Sequence, residues 1–183
     1  HDLSIVFNNN YNSDGTSLNE SFTSSFITFM NYLFECFSNT ESDNREKFYK
    51  CWRIFFKHLS IRIVKEFLER VLLVAVSDIA TSNNSLVLLS AIRFAKACFL
   101  RSSKARPSFM TFAHFDAFLM PSIRVFSMIN LDQYELSIDS GEAIEYYTPP
   151  SAILQFLGDL TVIFPEHAPK LFIPLIIHYS SFL

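Results

Sequence analysis

The chain has 183 residues, of which 50% are hydrophobic, 16% aromatic and 18% charged, with a formal charge of −3; this length suits one domain or a piece of a larger one. A folded chain of this size buries roughly 70% of the surface it exposes when unfolded, so a core needs neither disulfides nor metal, and disorder is excluded for most of the length. Phe supplies 21 residues and Gly only 3, too few glycines for a turn-rich all-β fold, and Gly15, Gly141 and Gly158 form no phosphate-cradling loop.

Residues 1–16 read as a tail or irregular lead-in, since the run Asn8 to Asn12 competes with its own backbone for hydrogen bonds. Ser17 and Glu20 have the spacing of a capping box. They open a predicted helix whose apolar stripe is Phe22, Phe26, Phe29, Leu33 and Phe37. After a polar linker over 38–44, Asp43 and Glu46 form a second box. The next stretch is strongly amphipathic, with Phe48, Trp52, Phe55, Leu59 and Ile63 on one arc and Lys47, Lys50, Lys57, Arg62 and Lys65 opposite. A break near Ser60 divides it into two helices, the second reaching about Ala80. Residues 67–76 are apolar nearly all round, so neighbours must cover most of that helix.

A polar turn over 81–84 leads to a helix over 85–100 and then to a basic loop from Arg101 to Arg106. Pro107 suits the first turn of a helix whose apolar side is Phe109, Phe112, Phe115, Phe118 and Leu119. Pro121 is expected to kink or restart that helix. Residues 130–147 form an acidic, irregular loop. Thr148, Pro149 and Pro150 read as a cap followed by helix-opening prolines, leading into Ile153, Leu154, Leu157 and Leu160. A final helix over 168–183 has Pro169 in its first turn and a kink expected at Pro174.

The expected fold is all-α: a single helical domain over 17–183, in antiparallel hairpins stacked as a degenerate HEAT- or armadillo-like α-solenoid segment. A compact irregular helical bundle is the alternative. No fixed-period repeat is present. The start at His1 and the apolar end at Leu183 read as an excised segment of a larger protein, and no apolar run approaches the roughly 20 residues of a membrane span.

Charge is the most informative feature. Divided at residues 44 and 107, the chain carries −6, +9 and −6. Such sorting suits a basic surface for an acidic protein partner or a nucleic-acid backbone, and equally a set of basic helices neutralised by acidic neighbours. The candidate partner-binding residues on the basic face are Lys50, Arg53, Lys57, Arg62, Arg101, Lys104 and Arg106; on the acidic loop they are Asp139, Glu142 and Glu145. Phe48, Phe55 and Phe56 fall at core spacing, which argues against exposed stacking platforms for bases.

Catalytic and metal motifs are absent from the sequence. His1, His58, His114, His167 and His178 are scattered with no paired ligand spacing, and His114 near Asp116 defines no site, because neighbours on a helix point about 100° apart. Cys36, Cys51 and Cys98 make an odd number without a CxxC pair and read as reduced thiols of an intracellular protein, nuclear or cytoplasmic. No GxSxG or SxxK context surrounds any Ser. The expectation is therefore a non-catalytic scaffold or adaptor segment, without cofactor, metal, membrane or small-molecule substrate, that holds protein partners within a larger assembly. A helical repeat whose 45–107 region contacts nucleic-acid phosphates is the alternative.

Overall fold

The structure is a computed structural model that describes residues 20–59, 61–104, 110–128 and 148–180. Among the described residues the regular elements are all helical. They are α1 (Glu20–Asn39), α2 (Glu46–His58), α3 (Ile61–Thr81), α4 (Ser85–Lys104), α5 (Phe112–Phe126), α6 (Pro149–Ile163) and α7 (Ala168–Ser180), with short 3₁₀ turns at Ser42–Asn44 and Pro165–His167. The acidic loop over 130–147, the lead-in over 1–16, and Ser17, Pro107 and Phe109 lie outside the described residues.

Several boundaries follow the sequence chemistry. The amphipathic stretch is divided as expected, with α2 ending at His58 and α3 beginning at Ile61. Thr148 caps α6, its hydroxyl accepting the Ser151 N–H at 3.4 Å, and Pro149 takes the first helical turn, where its missing N–H leaves nothing unpaired. Other expectations are corrected. Asp43 and Glu46 form no capping box: Ser42–Asn44 is a 3₁₀ turn, Arg45 occupies the N-cap without a side-chain cap, and Glu46 is the first helical residue. The basic loop expected from Arg101 is helix through Lys104, so Arg101 and Lys104 form the last turn of α4, where cations suit the negative end of the helix dipole. Nor does Pro121 restart its helix. Buried Phe118 and Val125 flank it, and their packing offsets the hydrogen bond that proline removes. The helix over Ala168–Ser180 likewise continues past Pro174.

The helices alternate between two rows. In one, α4 lies between α2 and α6; in the other, α3 packs on α5 and more lightly on α1, while α3 also packs on α4 and α5 on α6. The helix at the centre of this arrangement, α4, is buried on most of its circumference, through Val87, Leu88, Ala91, Ile92, Phe94, Ala95, Cys98 and Phe99. Small residues there let neighbouring backbones approach. The sequence pattern of complete coverage, expected for the stretch from Phe67, is met only in part on α3: Phe67, Leu68, Val71, Leu72 and Ala75 are buried, while Leu73 is 70% exposed.

The abundance of Phe has a structural use in two ring clusters joined by α4. On the first, Phe37 of α1 meets Tyr49 of α2 edge-on at 5.1 Å between centroids, Trp52 meets Phe67 at 6.0 Å, and Phe56 meets Phe94 at 5.4 Å. Five residues on, Phe99 meets Phe118, Phe156 and Phe164 at 5.9, 5.6 and 6.1 Å. Tilted and edge-on pairs of this kind contribute about 0.5–1.5 kcal/mol each beyond burial. Phe29, expected in the α1 core stripe, is instead half-exposed, and Met30 takes the buried position.

One polar cluster lies inside this apolar frame. Asp78 of α3, only 1% exposed, accepts from Arg45 Nη1 at 2.6 Å, from the Ser42 hydroxyl at 3.1 Å and from the Tyr49 hydroxyl at 2.6 Å. Arg45 also donates to the carbonyls of Thr40 and Ser38 at the end of α1. Burial, followed by the Asp78 charge, pushes the Tyr49 hydroxyl far above its usual range.

Four outcomes are expected. Asp78→Ala strands the Arg45 guanidinium and lowers unfolding free energy by about 3 kcal/mol in urea titrations, whereas Tyr49→Phe removes one charge-assisted bond and costs about 1.5 kcal/mol. The folded chain keeps the Tyr49 proton that the unfolded chain releases above about pH 10, so stability falls as pH rises past that point, and Tyr49→Phe makes the fall shallower. Gly158 lies within α6 with no heavy atom within 4 Å of the place a Cβ would occupy; Gly158→Ala should raise stability by about 0.5–1 kcal/mol in the same titration.

Candidate functional site

The helices α2 and α4 belong to one row, and their C-terminal halves face each other across a groove of about 610 Å³. Its rim carries Arg53, Lys57 and His58 from α2 and Arg101 and Lys104 from α4. Its floor is Phe56, Phe94 and Cys98, all buried. Helical spacing explains the rim: Arg53 and Lys57 are one turn apart, as are Arg101 and Lys104, so each pair lies on one edge of its helix. Four of the seven basic candidates are therefore brought together by residues far apart in sequence.

The remaining candidates are placed differently. Lys50 is on α2 but forms an ion pair with Glu46 one turn earlier. Arg62 falls on α3 with a side chain outside those described. Arg106, Asp139, Glu142 and Glu145 lie outside the described residues.

Among the described residues, no carboxylate lines the groove. Arg53, Lys57 and Lys104 are exposed and form no ion pair among the described residues. Arg101 is half-buried and anchored: Nη2 donates to the Leu59 carbonyl at 2.5 Å, satisfying the end of α2, while Nη1 is buried without a hydrogen-bond partner. A buried donor left unpaired costs about 1–3 kcal/mol. Burial draws the Arg101 guanidinium down from its usual range, an effect the neighbouring Cys98 opposes. The same burial pushes the Cys98 thiol far up, against a smaller opposing pull from Arg101.

Other cations of the basic segment serve the fold. Arg45 is held by Asp78, Lys96 pairs with Asp159 at 2.8 Å, and Arg70 lies 4.0 Å from the Phe34 ring centroid while donating to Asn31 at 2.8 Å. The groove thus gathers three exposed cations outside these pairings, while Lys47 and Lys65, also exposed, lie elsewhere.

Sequence reasoning missed two features. His58, Phe56 and Phe94 complete the groove; the adjacency of His58 to Lys57 in a last helical turn was the available signal. His114 has its partner not in Asp116 but in Glu69 of α3, Nε2 to Oε1 at 2.7 Å, while its Nδ1 accepts the Thr111 N–H at 2.9 Å and closes a capping box at the start of α5. That arrangement caps a helix and ties it to α3. Among the described residues, no group of three or more His, Cys, Asp or Glu gathers at metal-binding distance, and no helix is long and apolar enough to cross a membrane.

No protein-family model matches the chain, and no curated protein or solved structure matches it. The reading of the groove therefore stands on its residues alone.

Thiol reactivity tests the groove floor. Cys51 is exposed and Cys98 buried, so a disulfide reagent at neutral pH should label Cys51 and leave Cys98 untouched until the chain is unfolded. Labelling of Cys98 in the folded protein, followed by mass spectrometry, would mean that the floor is open.

Proposed function

We propose that the chain is a non-catalytic scaffold or adaptor segment, built as stacked helical hairpins of the degenerate HEAT- or armadillo-like kind, that holds a protein partner on the basic face of α2 and α4. The alternation of helices between two rows supports the stacked-hairpin reading. An intracellular setting, nuclear or cytoplasmic, fits three cysteines that are all unpaired. The observation that carries the functional reading is the convergence of Arg53, Lys57 and Lys104 on one groove with no internal counter-charge among the described residues. Exposed cations arranged over an apolar floor give a charged rim around an anchor site, the anatomy of a protein-docking surface.

A second reading, contact with nucleic-acid phosphates, draws on the same unpaired cations. The rings beside them favour the first: Phe56 is buried and Phe48 and Phe55 are half-buried, so no exposed aromatic face is offered to an unstacked base.

Affinity capture from a cell extract separates the two. The protein is compared with Arg53→Glu/Lys57→Glu/Lys104→Glu, and co-purifying protein and nucleic acid are both quantified. Loss of a defined protein partner is expected. Loss of nuclease-sensitive material instead supports the phosphate reading, and unchanged capture by a variant that keeps its helical circular dichroism overturns both.

A further inference from the structure

We infer that the groove between α2 and α4 takes a short acidic peptide segment with one apolar side chain set among its carboxylates. This rests on the scaffold reading and gives the chemistry of its partner. Two features of the groove select the two halves of the ligand. The rim carries Arg53, Lys57, Arg101 and Lys104 with no carboxylate in the lining among the described residues, so an anionic occupant is complementary along both edges. Between the edges, buried Phe56 and Phe94 beside half-buried Ala97 form an apolar floor that a carboxylate alone would leave poorly filled. A volume of about 610 Å³ holds several side chains, not a single ion.

The backbone at the site distinguishes carboxylates from phosphate. Phosphate sites draw on free N–H groups at helix N-termini or in glycine-rich turns. Here the lining residues come from the C-terminal halves of both helices, where carbonyls point outward and the dipole is negative. Attraction must come from side chains, and the dipole ends oppose dense negative charge. Singly charged carboxylates spaced along a peptide meet the cations one by one, and a planar carboxylate suits the exposed guanidinium of Arg53.

The test uses fluorescence anisotropy with the full chain and a labelled peptide of Asp and Glu flanking one central Leu. A second peptide replaces Leu by Gly at equal charge, and a single-stranded oligonucleotide of equal charge serves as competitor. The Leu peptide should bind, and the Gly peptide about tenfold more weakly. Arg53→Gln/Lys57→Gln, both exposed positions, should weaken the Leu peptide by about tenfold and reduce its salt dependence. Ala97→Trp should abolish binding by filling the floor, with circular dichroism verifying the fold of each variant.

Equal binding of the two peptides would overturn the apolar anchor. Displacement by the oligonucleotide at lower concentration than by unlabelled peptide would overturn the carboxylate assignment. No binding, or binding unaffected by either variant, would overturn the groove as the site. If peptide binding fails while capture of a protein partner still depends on Arg53, Lys57 and Lys104, the scaffold reading stands and this inference falls; peptide binding without any captured protein gives the reverse.

Discussion

A single buried carboxylate sets the geometry of the first half of the fold. Asp78 lies on an otherwise apolar stretch of α3, and an ionised carboxylate so placed requires partners to offset its lost hydration. Those partners come from three places at once: the 3₁₀ turn at Ser42, the N-cap of α2 at Arg45, and Tyr49 one turn into α2. Because Arg45 simultaneously holds carbonyls at the end of α1, the connection from α1 to α2 is fixed against α3 through one charge. Rotating α2 about its axis would remove Tyr49 from Asp78 and Trp52 from Phe67 together. Tyr49 and Arg53 are one turn apart on the same face of α2, so the direction in which α2 presents Arg53 and Lys57 follows from the contact that Tyr49 makes with Asp78.

The second constraint is the burial of α4 on most of its surface. A helix in the middle of a row can spare little circumference for solvent, and α4 is exposed chiefly along the edge that includes Lys104. Arg101 connects the two constraints: its bond to the Leu59 carbonyl ends α2 against α4, so the groove width at its C-terminal end is set by a guanidinium. The same residue closes a helix and keeps one donor unpaired.

Local chemistry in the sequence was readable where the signal and its consequence are neighbours. Thr148 followed by two prolines starts α6 with its own hydroxyl as the cap and proline in the first turn, and the amphipathic pattern changes phase between α2 and α3. Signals failed where a distant partner decides. Asp43 and Glu46 have capping-box spacing, yet Arg45 is drawn to Asp78, 33 residues away, and the helix start moves with it. His114 was weighed against nearby Asp116, but the contact that holds it is Glu69, 45 residues back. Pro121 breaks a helix on propensity alone, yet α5 runs on through it to Phe126 with Phe118 and Val125 buried on either side. The groove was half legible: Arg53 with Lys57, and Arg101 with Lys104, have one-turn spacing, but nothing local shows that the two pairs face each other.

The sorting of charge along the chain has a corresponding sorting in space. A net of +9 between residues 45 and 107 could have been absorbed entirely by acidic neighbours, and part of it is: Arg45 by Asp78 and Lys96 by Asp159. Both pairs lie where helices meet, and around Asp78 the charge must be answered because water is excluded. Arg53, Lys57 and Lys104 lie where water still enters, so leaving them unpaired costs the fold little more than weak mutual repulsion through solvent. Fold stability alone neither requires four cations around one apolar floor nor forbids them. Repulsion among them is relieved when an anion enters, and the accessible apolar lining of Ile54, Ala97 and Leu100 is shielded from water by the same event. Both terms favour one occupant with charge at its edges and an apolar centre, so the two contributions to binding are coupled through geometry that Asp78 and Arg101 hold in place.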